Sequence, residues 1–557
     1  MPTKGVLMST HIVSRDRIAG CLLKCLPLIN WITNNITPIK LYKHKLKTLS
    51  WFLAAILFPC VLYAENYQSN QESSKIPITT QLGSIRVDYQ QVSMPNGLSN
   101  MGLTGLHYLA HLNNYISLGG GFLGSVMGDE GGFITFGLDA NIKVPLWYGF
   151  YTESGIYFGG GGSSGLSENG MVVNTHIGLG YQFDNRIGLG ISYAALNFPD
   201  GAIHSQQVLL TLDVPLDFNY GPYSALGQYI TDADQLVFID NTPDGGYNYI
   251  SFLFNNTFPS SASKTKSGDP LTRSQQYIGA EVGHYFNNST FAFIQTEAML
   301  RGGSSGYMHL LGGLGQSYTI HPRFYIVPQL GVGAGGGGGL DTGGGLIIFP
   351  QLSLEALLTS HVAASISGGY IIAPGGNFKA MTAGMAVKYY INSNPIISSE
   401  NNDNGFLQGW RLNIGNETYT SPECQLGCST VSMIQGQLDY LIDRYVYFSG
   451  QTNFAYLGHG GSYAEGLIGI GTQTPAFFNN RLKLFAQLLG GAGGSGKVNV
   501  EKAKGVIVKP SVGAMLSITD HLAVKANVGQ MFAINGNWHT PFFGIGMSFR
   551  FSTLVAE

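Results

Sequence analysis

The segment FFGIGMSFRF, Phe542–Phe551, shows the alternation that decides the fold of this chain. From Phe543 onward every second residue is large and apolar, whereas the residues between them are small or polar. The apolar positions are Phe543, Ile545, Met547, Phe549 and Phe551. A period of two residues is typical of a β-strand, whose successive side chains point to opposite faces. One continuous apolar face of this length suits a tilted strand that crosses a lipid bilayer.

The same pattern continues upstream and favours membrane strands over membrane helices. Leu522–Gln530 and Val506–Leu516 alternate in the same way, and no stretch after Ala64 is as long and uninterrupted as the apolar run of a membrane helix. The chain has 11% charged residues and 78 glycines among 557 residues, against averages of about 25% charged and about 7% Gly in soluble proteins. An ordinary water-facing surface is therefore hard to build, and the sequence predicts an all-β membrane protein.

The N-terminal region has the features of a secretory signal peptide. An apolar run, Leu49–Tyr63, follows four lysines and precedes Ala64, a small residue suited to cleavage. Such a signal consists of a basic segment, an apolar core and a small residue at the cut, so we expect residues 1–64 to be removed. An uncleaved membrane anchor is the alternative, although the run is shorter than the usual ~20 residues. The stretch before about Leu41 is unusual in a signal peptide and leaves the true translation start open.

Removal of this region leaves an acidic mature chain. It takes away 8 basic residues and 1 acidic residue, so that 21 of the 29 basic and 31 of the 32 acidic residues remain, a net charge of about −10. Binding to nucleic acid is not expected, because no basic surface neutralises phosphates. Cys424 and Cys428 remain, and in an exported protein they predict a small loop disulfide rather than half of a metal site. No C-x-x-C pair or histidine cluster indicates a metal, and no cofactor is expected.

The mature sequence repeats itself at long period. The motif QL followed by GAGG, at Gln329 and Gly333, recurs at Gln487 and Gly491, and a weaker copy lies upstream. Repeats at a fixed period indicate one structural unit used several times. We expect three units, 77–218, 246–392 and 404–551, joined by linkers at 219–245 and 393–403.

Each unit contains eight alternating segments, so about 24 antiparallel strands are expected. In the third unit, short connections such as Asp443-Arg444 and Asn479-Asn480 alternate with longer glycine-rich connections such as Gly490–Gly496. Short turns on one side of a sheet and longer loops on the other are typical of an up-and-down transmembrane barrel.

One glycine run also matches a nucleotide-binding pattern. The run GVGAGGGGG, Gly331–Gly339, contains the G-x-G-x-x-G spacing, but a nucleotide site requires a helix after the glycines, and a strand pattern follows here. We instead expect these glycines near the tip of the loop between the fifth and sixth strands of the second unit. There they would let neighbouring strands bend and twist.

With these features, residues 77–551 resemble bacterial outer-membrane β-barrel proteins, in particular the eight-stranded OmpA-like, OmpW-like and lipid A deacylase-like barrels. Gly546, Phe549 and Phe551 resemble the closing-strand signal that such proteins present to the barrel-assembly machinery. Ser552–Glu557 trail after this signal, where members of the family commonly stop. The resemblance implies residence in the bacterial outer membrane, with outer-membrane lipid, lipopolysaccharide and the assembly machinery as partners.

The inner faces of the predicted strands bear on whether the chain forms one barrel or three. Apolar residues such as Phe349, Phe485 and Met515 share these faces with charged ones. The charged residues predicted to face the lumen are Glu153, Glu355, Lys509 and Lys525. A narrow barrel is filled by its own side chains, whereas a wide one encloses water. The mixture and the long linkers favour three barrels, and one 24-stranded barrel is the alternative. The inward charges would form ion pairs in a packed lumen or tune selectivity in an open one.

Catalysis is the main rival to a structural or transport role. A lipid-modifying enzyme needs a nucleophile and a base in contact, but the candidate pair, His204-Ser205, are neighbours in a strand and point to opposite faces. We therefore expect a non-enzymatic protein with a structural or surface role or a small-solute pore. The alternatives are a wide-pore channel or exporter made of a single 24-stranded barrel and a lipid-modifying enzyme. The sequence does not indicate a solute or an oligomeric state.

Overall fold

The computed structural model describes most of the chain after residue 74. The described residues are 75–163, 166, 169–230, 236–238, 247–304, 306–391, 405–422, 430–494, 496, 498, 505–534 and 539–556. The predicted signal peptide at 1–64, the predicted linker at 393–403 and the predicted disulfide between Cys424 and Cys428 lie outside these residues. In this part of the chain no helix is long and apolar enough to cross a membrane.

The first part of the chain forms a closed barrel of eight antiparallel strands, preceded by the short strand β1 (Ile76–Gln81). The barrel strands are β2 (Gly83–Val92), β3 (Met101–His111), β4 (Ile116–Met127), β5 (Ile134–Pro145), β6 (Phe150–Gly162), β7 (Val172–Gln182), β8 (Gly188–Asn197) and β9 (His204–Pro215). β2 pairs with β9, with Ile85 opposite Val214, and this pairing closes the ring.

A connector with little regular structure follows the first barrel. Its elements are β10 (Phe218–Tyr220), a 3₁₀ turn (Tyr223–Ala225) and β11 (Tyr229–Ile230), and the short strand β12 (Leu236–Phe238) comes after them. We use the word connector for residues Phe218–Ile230. β10 and β12 both pair with β1, which gives a three-stranded sheet outside the barrels.

The second barrel again has eight antiparallel strands, with one short extra strand, β17, paired to the start of β18. Its strands are β13 (Tyr247–Pro259), β14 (Gln275–Tyr285), β15 (Thr290–Arg301), β16 (Met308–Gln316), β17 (Tyr318–His321), β18 (Phe324–Gly336), β19 (Leu346–Leu357), β20 (Val362–Ile372) and β21 (Lys379–Tyr390). Pairing of β13 with β21, Phe252 opposite Val387, and of β16 with β18 closes the ring.

The third barrel is closed by the longest strand pairing of the molecule, between β22 and β29. Its strands are β22 (Gly405–Tyr419), β23 (Val431–Leu441), β24 (Val446–Leu457), β25 (Ala464–Gln473), β26 (Leu482–Gly494), β27 (Val506–Ser517), β28 (Leu522–Ala533) and β29 (His539–Ala556). The pairing runs from Gly405 opposite Ala556 to Tyr419 opposite Phe542.

These pairings confirm the predicted fold class and decide between its two forms. The last strand of each barrel pairs with the first strand of the same barrel, so the chain forms three eight-stranded barrels. The alternative of a single 24-stranded barrel is wrong. In each eight-stranded ring the first and last strands hydrogen-bond to each other. Neither of them therefore has a free edge along which a barrel strand of the next unit could pair.

Side chains alternate between the lumen and the outer surface as the sequence predicts. In β29, Phe543 and Ile545 are 45% and 56% exposed on the outside, whereas Phe542 and Ser548 are buried inside. Large apolar side chains are exposed in the same way along strands of all three barrels, for example Ile191, Leu352 and Val528. An apolar outer face with a polar or packed interior is the surface pattern of a transmembrane barrel.

Several predicted boundaries are wrong where glycine or the chain end is involved. Of the run Gly331–Gly339, the first six residues belong to β18, and Gly490–Gly494 belong to β26 rather than to a loop. Ser552–Ala556 do not trail but continue β29, paired with Gly405–Gly409 of β22. Glycine shows no alternation because it has no side chain, so a glycine-rich strand end looks like a loop in the sequence.

All three barrels have the same two kinds of end. One end carries the short hairpin turns, such as those between β3 and β4, β19 and β20, and β27 and β28, and we call it the turn end. The opposite end carries the longer connections, and we call it the loop end. In transmembrane barrels the short turns face the periplasm and the longer loops face the outside.

The first and second barrels meet through glycine backbones at the loop end. The Gly131 N–H donates to the Gly343 carbonyl oxygen at 2.8 Å. A Cβ atom on Gly132 would lie 2.4 Å from the Gly337 nitrogen, and one on Gly336 would lie 2.3 Å from the Gly132 nitrogen. Gly336 is therefore required because the first barrel lies directly against it.

Aromatic rings join the outer walls of the barrels. Phe454 of the third barrel is buried against Phe122 and Phe136 of the first, with ring centroids 6.1 and 5.9 Å apart. Tyr389 of the second barrel packs edge-on against Tyr440 of the third at 5.3 Å. Each barrel thus contacts both of the others, and the three form one compact unit.

The connector leaves the first barrel and docks on the turn end of the third. The Gly221 N–H donates to the Ser552 carbonyl oxygen at 2.8 Å, and the Ser552 N–H donates back to Gly221 at 3.0 Å. β11 adds to the edge of β22, with Tyr229 opposite Phe406. The start and the end of the third barrel are therefore both tied to a segment that precedes the second barrel in sequence.

Candidate functional site in the barrel lumens

The lumen of the first barrel is crossed by an ion pair between opposite walls. Alternation along β2 turns Arg86 inward, since its neighbour Val87 is exposed on the outer face. Arg86 donates to both Glu153 oxygens, at 2.6 and 2.8 Å, and to both Asp213 oxygens, at 2.7 and 2.9 Å. β2 and β6 are the first and fifth strands of eight, so the contact between Arg86 and Glu153 spans the diameter. His176 also binds Glu153, at 3.1 Å.

A second polar cluster lies beside this ion pair. The His107 Nδ1 atom hydrogen-bonds to Asp139 at 2.9 Å, and its Nε2 atom lies 3.0 Å from an oxygen of Asp88. All three come from strands β2, β3 and β5 and point into the lumen. The Tyr157 ring meets the His107 ring edge-on at 5.6 Å. Polar side chains therefore fill the lumen next to Arg86, and the pairing compensates much of the desolvation of these charges.

The second barrel holds one lysine among carboxylates. Lys388 lies 2.7 Å from Glu355, which also accepts a hydrogen bond from the Tyr390 hydroxyl. Glu281 accepts hydrogen bonds from the Tyr249 hydroxyl at 2.8 Å and from Gln329 at 3.0 Å. The contact between Glu281 on β14 and Gln329 on β18 joins strands that are not neighbours, so it crosses the lumen.

A small polar cavity lies beside these residues. It measures about 20 Å³ and is lined by residues that include Gln351, Ser353 and Ser367 as well as Glu355 and Lys388. A cavity needs at least roughly 10–15 Å³ to hold one water molecule. This space suits one or two ordered waters between polar walls, and it is too small for a solute.

The third barrel is crossed by a lysine that binds two carboxylates. Lys509 donates to Glu417 and to Glu465, the latter at 2.5 Å. Asn453 donates to the same two carboxylates, at 2.9 Å to Glu417 and 2.5 Å to Glu465. The Tyr419 hydroxyl binds Glu465 at 2.6 Å. Each carboxylate thus has several donors, as a buried charge requires.

A second layer of the third barrel lies nearer the turn end. Arg411 donates to Asp439 at 3.0 Å and to Gln473 at 2.6 Å. Lys525 donates to the side chain of Gln437 at 2.9 Å, and Gln437 donates to Asp439 at 2.7 Å. The contact between Arg411 on β22 and Gln473 on β25 again joins strands on different sides of the ring.

Apolar clusters fill the lumens beyond these polar layers. At the loop end of the first barrel, Met101, Leu123 and Phe133 are buried together. Equivalent clusters fill the loop ends of the second and third barrels, where Phe349 and Met531 are members. Each lumen therefore has polar side chains in its middle and packed apolar side chains at its loop end. This is the interior of a narrow barrel that is filled by its own side chains.

The four charged residues that the sequence predicts to face a lumen do so in the structure. Glu153, Glu355, Lys509 and Lys525 are all buried in the lumens. Glu153 binds Arg86 and Glu355 binds Lys388, whereas the direct partner of Lys525 among the described residues is the uncharged Gln437.

Sequence reasoning missed most of the residues that complete these clusters. They are Arg86, Asp213, Lys388, Arg411, Glu417, Asp439 and Glu465. The available signal was a charged residue inside an alternating segment, which all of them share. Which charges meet depends on the pairing of distant strands, and that pairing is not visible in a local pattern.

The candidate catalytic pair is separated as the sequence predicts. His204 is exposed, and its ring lies 3.3 Å from the Asn197 side chain, whereas Ser205 is buried and accepts the Ser93 N–H at 2.9 Å. The two side chains lie on opposite faces of β9, so the serine has no contact with this histidine. Among the described residues no group of three or more His, Cys, Asp or Glu side chains could hold a metal ion.

The predicted assembly-signal residues lie in the closing strand of the third barrel. Gly546 is opposite Gly415 of β22, and the Phe549 and Phe551 rings are partly covered from outside. Tyr220 of the connector packs against both rings, with centroids at 5.6 and 6.2 Å. In the folded chain these aromatic residues therefore contact the connector.

One ion pair at the turn end lies outside the membrane-spanning strands. Arg186 donates to both oxygens of Asp217, at 2.6 and 2.9 Å, and the Gly83 N–H donates to the same carboxylate at 2.9 Å. Partial burial alone would raise the pKa of Asp217, but these donors outweigh it and the pKa is lowered.

Closed antiparallel rings with apolar outer walls define the class of protein. These are β-barrels of the outer-membrane type. No family model matches the chain, and no curated protein matches it. Matching solved structures include a mutant of the ferric enterobactin receptor PfeA, the siderophore receptor PirA and OpdQ, all from Pseudomonas aeruginosa.

The similarity to these structures is low. Identity is 9% for PfeA, 10% for PirA and 9% for OpdQ, and the TM-scores are 0.26, 0.25 and 0.19. Each match covers 85% of this chain, and 80%, 80% and 98% of the other chain. Similarity at this level has no bearing on function, which is inferred below from the chain's own geometry.

Proposed function

We propose that this protein is a non-enzymatic integral outer-membrane protein with a structural or surface role, whose three barrels are sealed. The observation that carries this proposal is that side chains bridge non-neighbouring strands across every lumen. The bridges are Arg86 to Glu153, Gln329 to Glu281, and Lys509 to Glu417. A conducting pore needs a continuous water-filled path, and these bridges lie across it.

Conductance in planar lipid bilayers tests the sealed state. We expect the purified, processed protein to insert without producing stable channel steps, under conditions in which a general porin conducts. A matched variant, Arg86→Ala with Glu153→Ala, removes the bridge of the first barrel and both of its buried charges. If the unaltered protein gives reproducible steps and this variant changes their size, the first barrel is a small-solute pore and the structural role is wrong.

Placement in the outer membrane follows from the outer walls and the predicted signal peptide. We propose export across the inner membrane, insertion with the help of the barrel-assembly machinery, and direct contact with outer-membrane lipid and lipopolysaccharide. The turn end would face the periplasm and the loop end the outside. Fractionation of cells expressing the full chain, with N-terminal sequencing of the mature protein, tests export and cleavage after Ala64. Recovery in the inner membrane with an intact N-terminus would contradict the proposal.

A further inference from the structure

A pocket lies at the turn-end mouth of the third barrel, between the connector and the polar layer around Arg411. Its volume is about 630 Å³. The connector forms one wall, and the three hairpin turns of the third barrel form the rim. Tyr223 and Ser224 come from the connector, and Arg444, Asn480 and Thr519 come from the three turns. Small-molecule sites typically measure about 300–1,000 Å³, so the space suits a small organic ligand.

The charge of this pocket is opposite to that of the mature chain. Among the described residues that line it, the basic ones are Arg444, Arg481, Lys483 and Arg550, against one carboxylate, Asp520. Both Asp520 oxygens accept the Ser224 N–H, at 3.1 and 3.2 Å, so this carboxylate holds the connector in place. A concave site lined by one sign of charge concentrates counter-ions.

Two of the cations are held on the Tyr223 ring. The Lys483 ammonium lies 5.2 Å and the Arg550 guanidinium 5.0 Å from the ring centroid, within the range of cation–π contact. Arg550 is fixed further, because it donates to the Ser517 hydroxyl at 2.7 Å and to the Thr519 carbonyl oxygen at 2.6 Å. Its buried Nε atom has no hydrogen-bond partner among the described residues.

The positive potential also acts on Tyr223 itself. Burial alone would raise the pKa of its hydroxyl, but the nearby positive charges of Arg411, Lys483 and Arg550 lower the pKa below its usual value. A lowered pKa of a tyrosine hydroxyl indicates a place where negative charge is stabilised.

We propose that this pocket binds a small organic polyanion, carrying phosphate or carboxylate groups, that enters from the turn end. Arg481 at the rim and Lys483 on the pocket wall supply the charge-assisted hydrogen bonds. Arg550, fixed by the turn, supplies a positive charge beneath them. Because the turn end faces the periplasm in a transmembrane barrel, the ligand is a periplasmic anion.

Titration calorimetry on the full processed protein in detergent tests this site, with pyrophosphate and citrate as separate probes. We expect saturable binding of at least one probe, weakened about tenfold by Lys483→Gln and by Arg481→Gln, since each removes one charge-assisted contact. The tighter of the two probes identifies phosphate or carboxylate as the preferred group.

The matched control is Arg323→Gln, which removes an exposed arginine from a turn of the second barrel. We expect it to leave affinity unchanged. Heat-modified mobility on gels confirms that each variant is folded. The proposal is overturned if neither probe binds, or if Arg323→Gln weakens binding as much as Lys483→Gln does.

Discussion

Charged side chains inside the barrels show how much a single residue can contribute to the stability of the fold. Arg86 has four short contacts with two carboxylates and almost no exposure to solvent. Loss of one member of a buried pair leaves the other charge without compensation, whereas an exposed pair contributes little. The first barrel contains both situations, since Arg186 pairs with Asp217 at the turn end with 38% of its side chain exposed.

We therefore predict that Arg86→Met lowers the free energy of unfolding by about 3–5 kcal/mol. Arg186→Met, the matched control, should cost at most about 1 kcal/mol, because its partner keeps its contact with water. Urea unfolding in lipid vesicles measures both values. Equal losses would show that burial of the Arg86 cluster has no energetic consequence.

Glycine at the contact of the first two barrels is a second residue-scale feature. Gly132 and Gly303 have nearly the same positive φ, +96° and +94°. A Cβ atom on Gly132 would meet the backbone of Gly337 at 2.4 Å, whereas one on Gly303 would meet nothing within 4 Å. Comparison of the two separates backbone strain from contact between barrels.

Both Gly→Ala substitutions should carry the cost of a positive φ, about 1–3 kcal/mol. We predict that Gly132→Ala costs about 1–3 kcal/mol more than Gly303→Ala, because it also forces two backbones apart. Unfolding of the two variants under identical conditions measures this difference. A difference near zero would mean that the loops separate without cost.

At the scale of elements, the strands were predictable and some of their ends were not. Val506–Leu516 and Leu522–Gln530 fall within the observed strands β27 and β28 because their apolar and polar residues alternate. The end of β18 at Gly336 and the end of β26 at Gly494 could not be predicted from the sequence, because glycine has no side chain and so shows no alternation between the two faces of a strand. The pocket at the turn end was also missed, because its residues come from five separate segments.

The connector was predictable only as a linker. Its docking depends on Tyr220 packing against Phe549 and on the backbone pair between Gly221 and Ser552, which no local pattern reveals. Tyr229 lies in the same segment but is 68% exposed. The two tyrosines therefore differ in what they contribute to docking.

We predict that Tyr220→Ala loosens the connector and increases the rate of proteolytic cleavage within Pro222–Ile230 severalfold. Tyr229→Ala should leave the rate near that of the unaltered protein, because its ring is largely outside the contact. Limited proteolysis of the folded protein, followed by mass spectrometry, measures both rates. Unchanged cleavage of Tyr220→Ala would show that backbone pairing alone holds the connector.

At the scale of the whole molecule, three barrels pack as a trimer within one chain. The sequence repeats indicated three units, but not whether their sheets merge, because that depends on pairing between the first and eighth strands of a unit. Contacts between the outer walls were also not predictable. Phe454 occupies an outward position of β24, as a lipid-facing residue would, yet it is buried by the first barrel.

We predict that Phe454→Ala costs about 3 kcal/mol, near the lower end of the usual loss for a buried phenylalanine. Phe543→Ala should cost less, because lipid can fill the space beside this exposed ring. Phe454→Ala should also make the third barrel unfold in a transition separate from that of the other two barrels. A single unchanged transition would show that Phe454 does not couple the barrels.

The three separate closures, each between the first and last strands of one barrel, bear on the order of assembly. Because each ring closes between strands of its own unit, the first barrel can complete its hydrogen bonding without the strands of the third. The connector cannot do so, since its partner Ser552 lies in the last strand of the chain. Its docking therefore has to wait for the last strand, and a docked connector marks molecules in which the end of the third barrel is in place.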